Sequence, residues 1–295
     1  MQQTQSGLRW RKIRGKIMEG AATLCAIVAI IPLFAFLWQV IKNGAGAISW
    51  AFFTQLPQPP GETGGGLKNA MVGSLILVAV ATIMGTPVGI GAAVYLTEFA
   101  RPKVRSFVRF WTDVLSGVPS IVIGLLGYEL IVRPVKHFSA FSGSFALACI
   151  LLPILVITTQ EMLQLVPGTL REAGHALGIP AWQVAWSVSL RAAAPGVLTG
   201  LLLAISRIPG ETAPLIFTAF GNNFFSTSLK DPIGSLPQMI YTYAQSPYDD
   251  WHQQAWGGAL VLISFILFIT LFGRLTLWMR SRKQHAPARV AKEPK

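Results

Sequence analysis

Arg207 and Glu211 are the residues whose chemistry is hardest to attribute to packing alone. They lie four positions apart in a long apolar stretch, so on a continuous helix they would share a face and could pair. Ionisable side chains in a membrane span are costly, usually face a protein interior or an aqueous cavity, and by default mark a functional site. An arginine offers a planar fork of donors suited to an oxyanion. The competing reading is a structural ion pair that holds two helices together. Pro209, Gly210 and Pro214 crowd the same stretch, which predicts a bend or break there. Broken backbone is tolerated at membrane depth where it lines a cavity.

A second stretch, Pro167–Gly196, is a polar interruption between long apolar segments. Thr169 followed three positions later by Glu172 has the spacing of a capping box. Gly178 and Pro180 then stop the helix, one by permitting a left-handed C-cap and the other by forbidding continuation. This predicts a helix of about eight residues, on the order of 12 Å long, followed by a second helix. A helix so short is marginal alone, so something must pack on it. An ordinary connector would also have this form. A third candidate, Asp113 in the stretch Asp113–Ser120, is read as a helix cap or an interfacial charge.

The elements that position these groups follow from composition. Hydrophobic residues make up 52% of the 295 and charged residues 12%, half the usual globular share. The apolar residues cluster into runs that reach the roughly 20 residues needed to cross a bilayer. Six spans are expected: Met18–Ile41, Lys68–Leu96, about Phe110–Val132, about Phe141–Leu163, about Val197–Phe220 and about Trp256–Met279. The first could be a signal peptide, since Ala45-Gly46-Ala47 resembles a cleavage site, but it is longer than a signal core and is read as retained. In the second span Gly85, Gly89 and Gly91 suggest close helix approach, and Pro87 a kink.

The net charge of +12 is placed for a membrane rather than for nucleic acid. With both termini cytoplasmic, eighteen Lys and Arg fall inside and five outside, leaving Arg207 within a span. The segment Glu98–Arg109 is expected as a cytoplasmic loop. The Gly- and Pro-rich residues 43–67 are expected outside, and Gly221–Ala255 is expected as external, partly inserted or interfacial structure. Cys25 and Cys149 are expected as buried free thiols, and the four histidines form no ligand set, so no metal site is expected. No phosphate-binding loop motif occurs, so energy from ATP must come from a partner.

Glu172-Ala173-Gly174, three residues, Gly178, nine residues and Val188-Ser189-Leu190 resemble the cytoplasmic EAA loop of the binding-protein-dependent (MetI-like) ABC importer permease family. The sequence departs from that pattern at Gly174, Val188 and Arg191. The stretch Ser206–Asn222, with Gly210-Glu211-Thr212-Ala213-Pro214 at its heart, is similar to the phosphate-specific permeases of that family, specifically their A subunit. Pro209 stands where those usually carry a small or aliphatic residue. Asp113–Leu125 resembles a second signature of the same subunit, and the resemblance runs from about Gly65 to Gly273.

The resemblance implies an all-α polytopic membrane protein with six transmembrane helices and a short cytoplasmic coupling helix between the fourth and fifth. The expected organisation is a basic cytoplasmic N-terminus (1–17), a first transmembrane helix (18–42), a permease domain (68–279, EAA loop 167–196) and a basic tail (280–295). Glu172, Ala173, Gly174 and Gly178 are then implied as ATPase-coupling residues, and Arg207, Glu211 and Thr212 as lining the substrate path. The implied function is import of inorganic phosphate across the cytoplasmic membrane, without a catalytic site in this chain. The implied partners are a homologous permease in a heterodimer, two ATPase subunits carrying ATP and Mg, an external phosphate-binding protein and membrane lipid. Another oxyanion (phosphonate, molybdate or sulfate) or an ion-gradient-driven transporter are the alternatives.

Overall fold

The computed structural model describes residues 3–62 and 64–284. Residues 285–295 of the expected basic tail, and the first two of the expected N-terminal stretch, lie outside the described residues. In chain order the helices are α1 (Gln3–Gly44), α2 (Trp50–Thr54), α3 (Lys68–Glu98), α4 (Pro102–Gly117), α5 (Ser120–Gly127), α6 (Arg133–Val135) and α7 (Ala140–Gln164). They continue with α8 (Gly168–Ala176), α9 (Ala181–Gln183), α10 (Leu190–Arg207), α11 (Ala213–Thr218), α12 (Leu236–Ala244) and α13 (Asp249–Gln284). π-Helical turns over Tyr128–Val132 and Val184–Ser189 fuse α5 to α6 and α9 to α10 into longer rods.

Among the described residues, five rods are long and apolar enough to cross a membrane: Trp10–Ala47, Lys68–Glu98, Ala140–Gln164, Ala181–Gly210 and Asp249–Leu275. α4 and the α5–α6 rod, bent by 105° against each other, are together apolar enough to count as a sixth, broken span or as a re-entrant pair. The straight third span expected over Phe110–Val132 is therefore broken in two. The cause is local: Pro119 lacks an N–H and holds Val118 extended (φ −68°, ψ 131°), which ends α4. The loop expected over Glu98–Arg109 is mostly helix, because Pro102 opens α4 at a position where its missing N–H costs nothing.

The fifth span also differs from expectation. It starts at Ala181 rather than Val197 and ends at Gly210 rather than Phe220, so the second helix of the polar stretch is its first turns. Pro209 and Pro214 end it, and the residues beyond form the separate six-residue α11.

α3 and α7 pair along most of their length, and α10, α5 and α11 close around α7. The buried core between them is aliphatic, with Leu77, Leu147, Leu151, Leu155, Ile208 and Leu215 at its centre. Gly85 and Gly89 permit the pairing: a methyl group on either would come within 2.9 Å of Leu151 or Leu155. Gly91, expected to do the same, faces open space. α3 is assigned as one helix through Pro87.

α1 stands apart from this core. Its 42 residues extend about 63 Å, far beyond the roughly 30 Å hydrocarbon layer. Among its described side chains, only those of the C-terminal end pack: Val40 is buried, and Gly44 lies against Trp256 and Leu260 of α13. Apolar side chains exposed around the rest are what a helix bathed in lipid requires. Cys25 on this helix is exposed rather than buried, and Cys149 in α7 is half-buried; both are free.

At the end of the molecule where α3 begins, the segment 221–235 folds back over it. The Asn69 amide donates to the Asn222 carbonyl (2.5 Å), and the Ser74 hydroxyl receives the Leu236 N–H (2.7 Å). Gly73 is so close to this segment that a methyl group would lie 2.0 Å from the Gly234 carbonyl oxygen. Gly73→Ala is expected to lower stability by about 1–3 kcal/mol, because backbone on both sides must move. Gly91→Ala, in the same helix with nothing within 4 Å, is expected to be neutral. Thermal unfolding of the two variants in detergent checks the contrast.

Candidate functional site

Two groups of candidate residues occupy different ends of the α9–α10 rod. The first is the nine-residue α8. Its N-cap is Pro167, with no side-chain cap, so Thr169 lies inside the first turn and the expected Thr169–Glu172 capping box does not form. Pro167 (φ −57°, ψ 136°) turns the chain into the helix two residues earlier than the box requires. The C-terminal stop is as expected. Gly178 takes φ +74°, its N–H donates to the His175 carbonyl (2.9 Å), and the Ile179 N–H donates to the Gly174 carbonyl (3.3 Å). This is a Schellman ending, which only glycine adopts without strain.

Of the implied coupling residues, Glu172 and Ala173 are exposed, while Gly174 is buried against the π-helical turn. A methyl group at 174 would sit 3.0 Å from Val184 Cγ2, which accounts for glycine in this chain at a position where the EAA pattern has alanine. Sequence reasoning missed three residues here. Leu177 is 80% exposed beside the helix. Arg171 reaches inward to Glu98 at the end of α3, its Nε donating to both carboxylate oxygens (3.0 and 3.1 Å). The Glu98 and Arg171 positions are 73 residues apart, and no local spacing signals their meeting.

The second group surrounds the end of α10. Arg207 is its last residue, Ile208–Gly210 is a 3-10 turn, and Glu211 is extended (φ −75°, ψ 122°). The pair survives the break: Arg207 Nε lies 3.8 Å from Glu211 Oε1. The arginine side chain is 56% exposed and the carboxylate 17%, so the cation faces outward and the anion is tucked behind it. Thr212 is half-buried at the N-cap of α11.

Depth follows from the neighbours. Arg207 shares a small cavity of about 20 Å³ with Ser116, Val118 and Ser120 of the α4–α5 elbow and with Pro153 near the middle of α7. Since α7 spans end to end, its midpoint lies near the middle of the membrane. Two chain breaks, at Val118–Pro119 and at Ile208–Gly210, thus face each other at that depth. The signatures over 113–125 and 206–222, distant in sequence, are neighbours in space. Gly124 packs so tightly on α11 that a methyl group would meet Pro214 Cα at 2.6 Å. Asp113 is not at this centre; it lies near Arg109 (4.0 Å) on the exposed side of α4. An outward-facing guanidinium, flanked by serines at paired breaks, can donate hydrogen bonds to an anion passing the chain's surface.

The sequence profile described as "Binding-protein-dependent transport system inner membrane component" matches residues 85–285. The chain is 46% identical over 275 residues to the phosphate transport system permease protein PstA of Haemophilus influenzae, covering 92% of this chain and 97% of that protein. It is 48% identical over 271 residues to the protein of the same name from Xylella fastidiosa strain Temecula1, covering 90% and 94%. Among solved structures, an alginate ABC transporter in complex with a pentasaccharide-bound periplasmic protein shares the fold at TM-score 0.64 and 14% identity, over 90% of this chain and 95% of that one. The inward-facing MetNI methionine ABC transporter shares it at 0.58 and 17%, over 72% and 95%. With most of its length matched in this way, the chain belongs to the family of binding-protein-dependent transport system inner membrane components.

Proposed function

We propose that this chain is the membrane-spanning permease subunit of an ATP-driven importer of inorganic phosphate. The observation that carries the cargo is identity of 41–48% to five proteins named phosphate transport system permease protein PstA, each over 88–94% of this chain. The geometry agrees with an anion: Arg207 offers its fork outward at mid-depth, with Glu211 behind it and Thr212 following at the start of α11. The path would be completed by a homologous permease facing these breaks.

The chain holds no phosphate-loop motif of its own. ATP and Mg are assigned to two partner ATPase subunits, and α8 to docking on one of them through Glu172, Ala173 and the exposed Leu177. Gly174 and Gly178 shape that helix rather than touch the partner. An external phosphate-binding protein would deliver the ion to the opposite face. Placing α8 in the cytoplasm follows the bias of Lys and Arg and puts both termini inside.

Cells lacking their own copy of the permease are expected to recover phosphate uptake, and not sulfate uptake, when given this chain with its partners. Recovery of sulfate or phosphonate uptake instead would overturn the cargo. Glu211 bears on that choice. Phosphate keeps a proton near neutrality and can donate it to the carboxylate, whereas sulfate has none and is repelled. Glu211→Gln is therefore expected to reduce discrimination between phosphate and sulfate by about tenfold, the effect of one charge-assisted hydrogen bond. Competition of sulfate against labelled phosphate measures it, and unchanged discrimination would remove Glu211 from the selectivity role.

A further inference from the structure

We propose that Arg171 and Glu98 form the tie through which displacement of α8 reaches the membrane core; the inference rests on the docking role assigned to α8. One guanidinium joins three elements. Nε donates to both oxygens of Glu98, the last residue of α3, and Nη2 lies 3.0 Å from Glu98 Oε1. Nη1 donates to the Val166 carbonyl (2.9 Å) and Nη2 to the Leu163 carbonyl (2.8 Å), at the end of α7. The Leu163 carbonyl also accepts the Val166 N–H (3.2 Å) at this helix end, and a cation there meets the negative end of the helix dipole. Both side chains are largely buried, at 23% and 12% exposure, so solvent screens the tie only partly.

A second arginine stiffens the anchor. Arg105 of α4 donates from Nε to the Leu96 carbonyl (2.7 Å) and from Nη2 to the Thr97 carbonyl (2.9 Å), closing the same end of α3. Glu98 is thereby presented from a capped helix end rather than a fraying one.

Mechanics explains why a tie at this point matters. α8 packs mainly on the π-helical turn that begins the α10 rod, and is joined to it through the turn at Gly178–Pro180. With that attachment alone, a push on α8 would swing it about the turn. Arg171 lies at the other end of α8 and supplies a second fixed point. The push is then delivered to α3 and α7 together, and this pair is locked along its length by Gly85 on Leu151 and Gly89 on Leu155. Arg171 and Glu98 are positioning residues in this scheme: neither meets phosphate or nucleotide.

The test compares Arg171→Lys, which keeps the charge but loses the fork, with Glu98→Gln, in the complete complex reconstituted with its ATPase subunits and phosphate-loaded binding protein. Both variants are expected to retain the ATPase subunits and to hydrolyse ATP. Phosphate imported per ATP hydrolysed is expected to fall about tenfold, a typical coupling factor. An unchanged ratio would overturn the tie, and so would loss of the ATPase subunits from both variants, since the contact would then serve docking or folding alone. If Arg171→Lys fails to reach the membrane, Glu98→Gln and Glu98→Asp carry the comparison. The docking role fails separately, if Glu172→Lys and Leu177→Asp both retain the ATPase subunits.

Discussion

Arg207→Gln is expected to abolish phosphate uptake while leaving the ATPase subunits bound. The substitution removes the cation that faces outward at the paired breaks, where α10 ends opposite the α4–α5 elbow. Glutamine keeps much of the length and some donors, so the variant tests charge and fork rather than bulk. Hydrogen bonds to a charged group contribute about 1.5–3 kcal/mol each, so losing two prongs costs about 3 kcal/mol or more. At 1.4 kcal/mol per factor of ten, uptake falls roughly 100-fold or further. Arg207→Lys should fall between the two, because an ammonium retains the charge without the planar fork.

A stability effect is separable from this. Glu211 is only 17% exposed, and removal of Arg207 strips it of its cation. The double variant Arg207→Gln with Glu211→Gln relieves that unpaired charge. It is expected to restore membrane levels where the single change lowers them, yet not to restore uptake. Uptake at a normal rate in either variant would show the pair to be a structural bridge between the α10 end and the segment leading to α11.

The second large effect is expected at α8. Glu172→Lys should release the ATPase subunits, and Leu177→Asp should do the same. Glu172 is exposed and makes no hydrogen bond or ion pair with the described residues, so its charge is free for a partner. Leu177 projects from the end of the helix at 80% exposure. A large apolar side chain held out at a membrane protein's polar surface is what an interface anchor looks like before its partner arrives. Burying a leucine contributes about 1.5–3 kcal/mol, so replacement by a charge should weaken association by roughly 10- to 100-fold. Co-purification of the ATPase subunit reads the effect directly. Gly91→Ala serves as the silent control, and retention of the ATPase subunit by both α8 variants would sink the coupling assignment.

Features that depend on a few neighbouring residues could be read from the chain alone. The apolar runs made it a membrane protein. Gly178 followed by Pro180 ended α8 as expected, because a left-handed C-cap is a local demand that glycine alone meets cheaply. Pro209 and Pro214 broke the chain beside Arg207 for an equally local reason, the missing N–H. Even so, local signals misled where two of them competed. The Thr169–Glu172 spacing suggested a cap, but Pro167 just before it opened the helix first. The polar stretch Pro167–Gly196 suggested a second, separate helix after α8, but the chain runs on by a π-helical turn into the span.

Tertiary structure decided what no local spacing encodes: which distant groups meet. It brought Arg207 to Ser116 and Ser120, Gly124 to Pro214, and Gly73 to the Gly234 carbonyl. It also brought Arg171 to Glu98, leaving Glu172, its neighbour in sequence, turned outward. The physical reason is geometric. A helix turns about 100° per residue, so adjacent residues of one motif can face opposite surroundings, and only the packing of α3, α7 and α10 determines which one faces in.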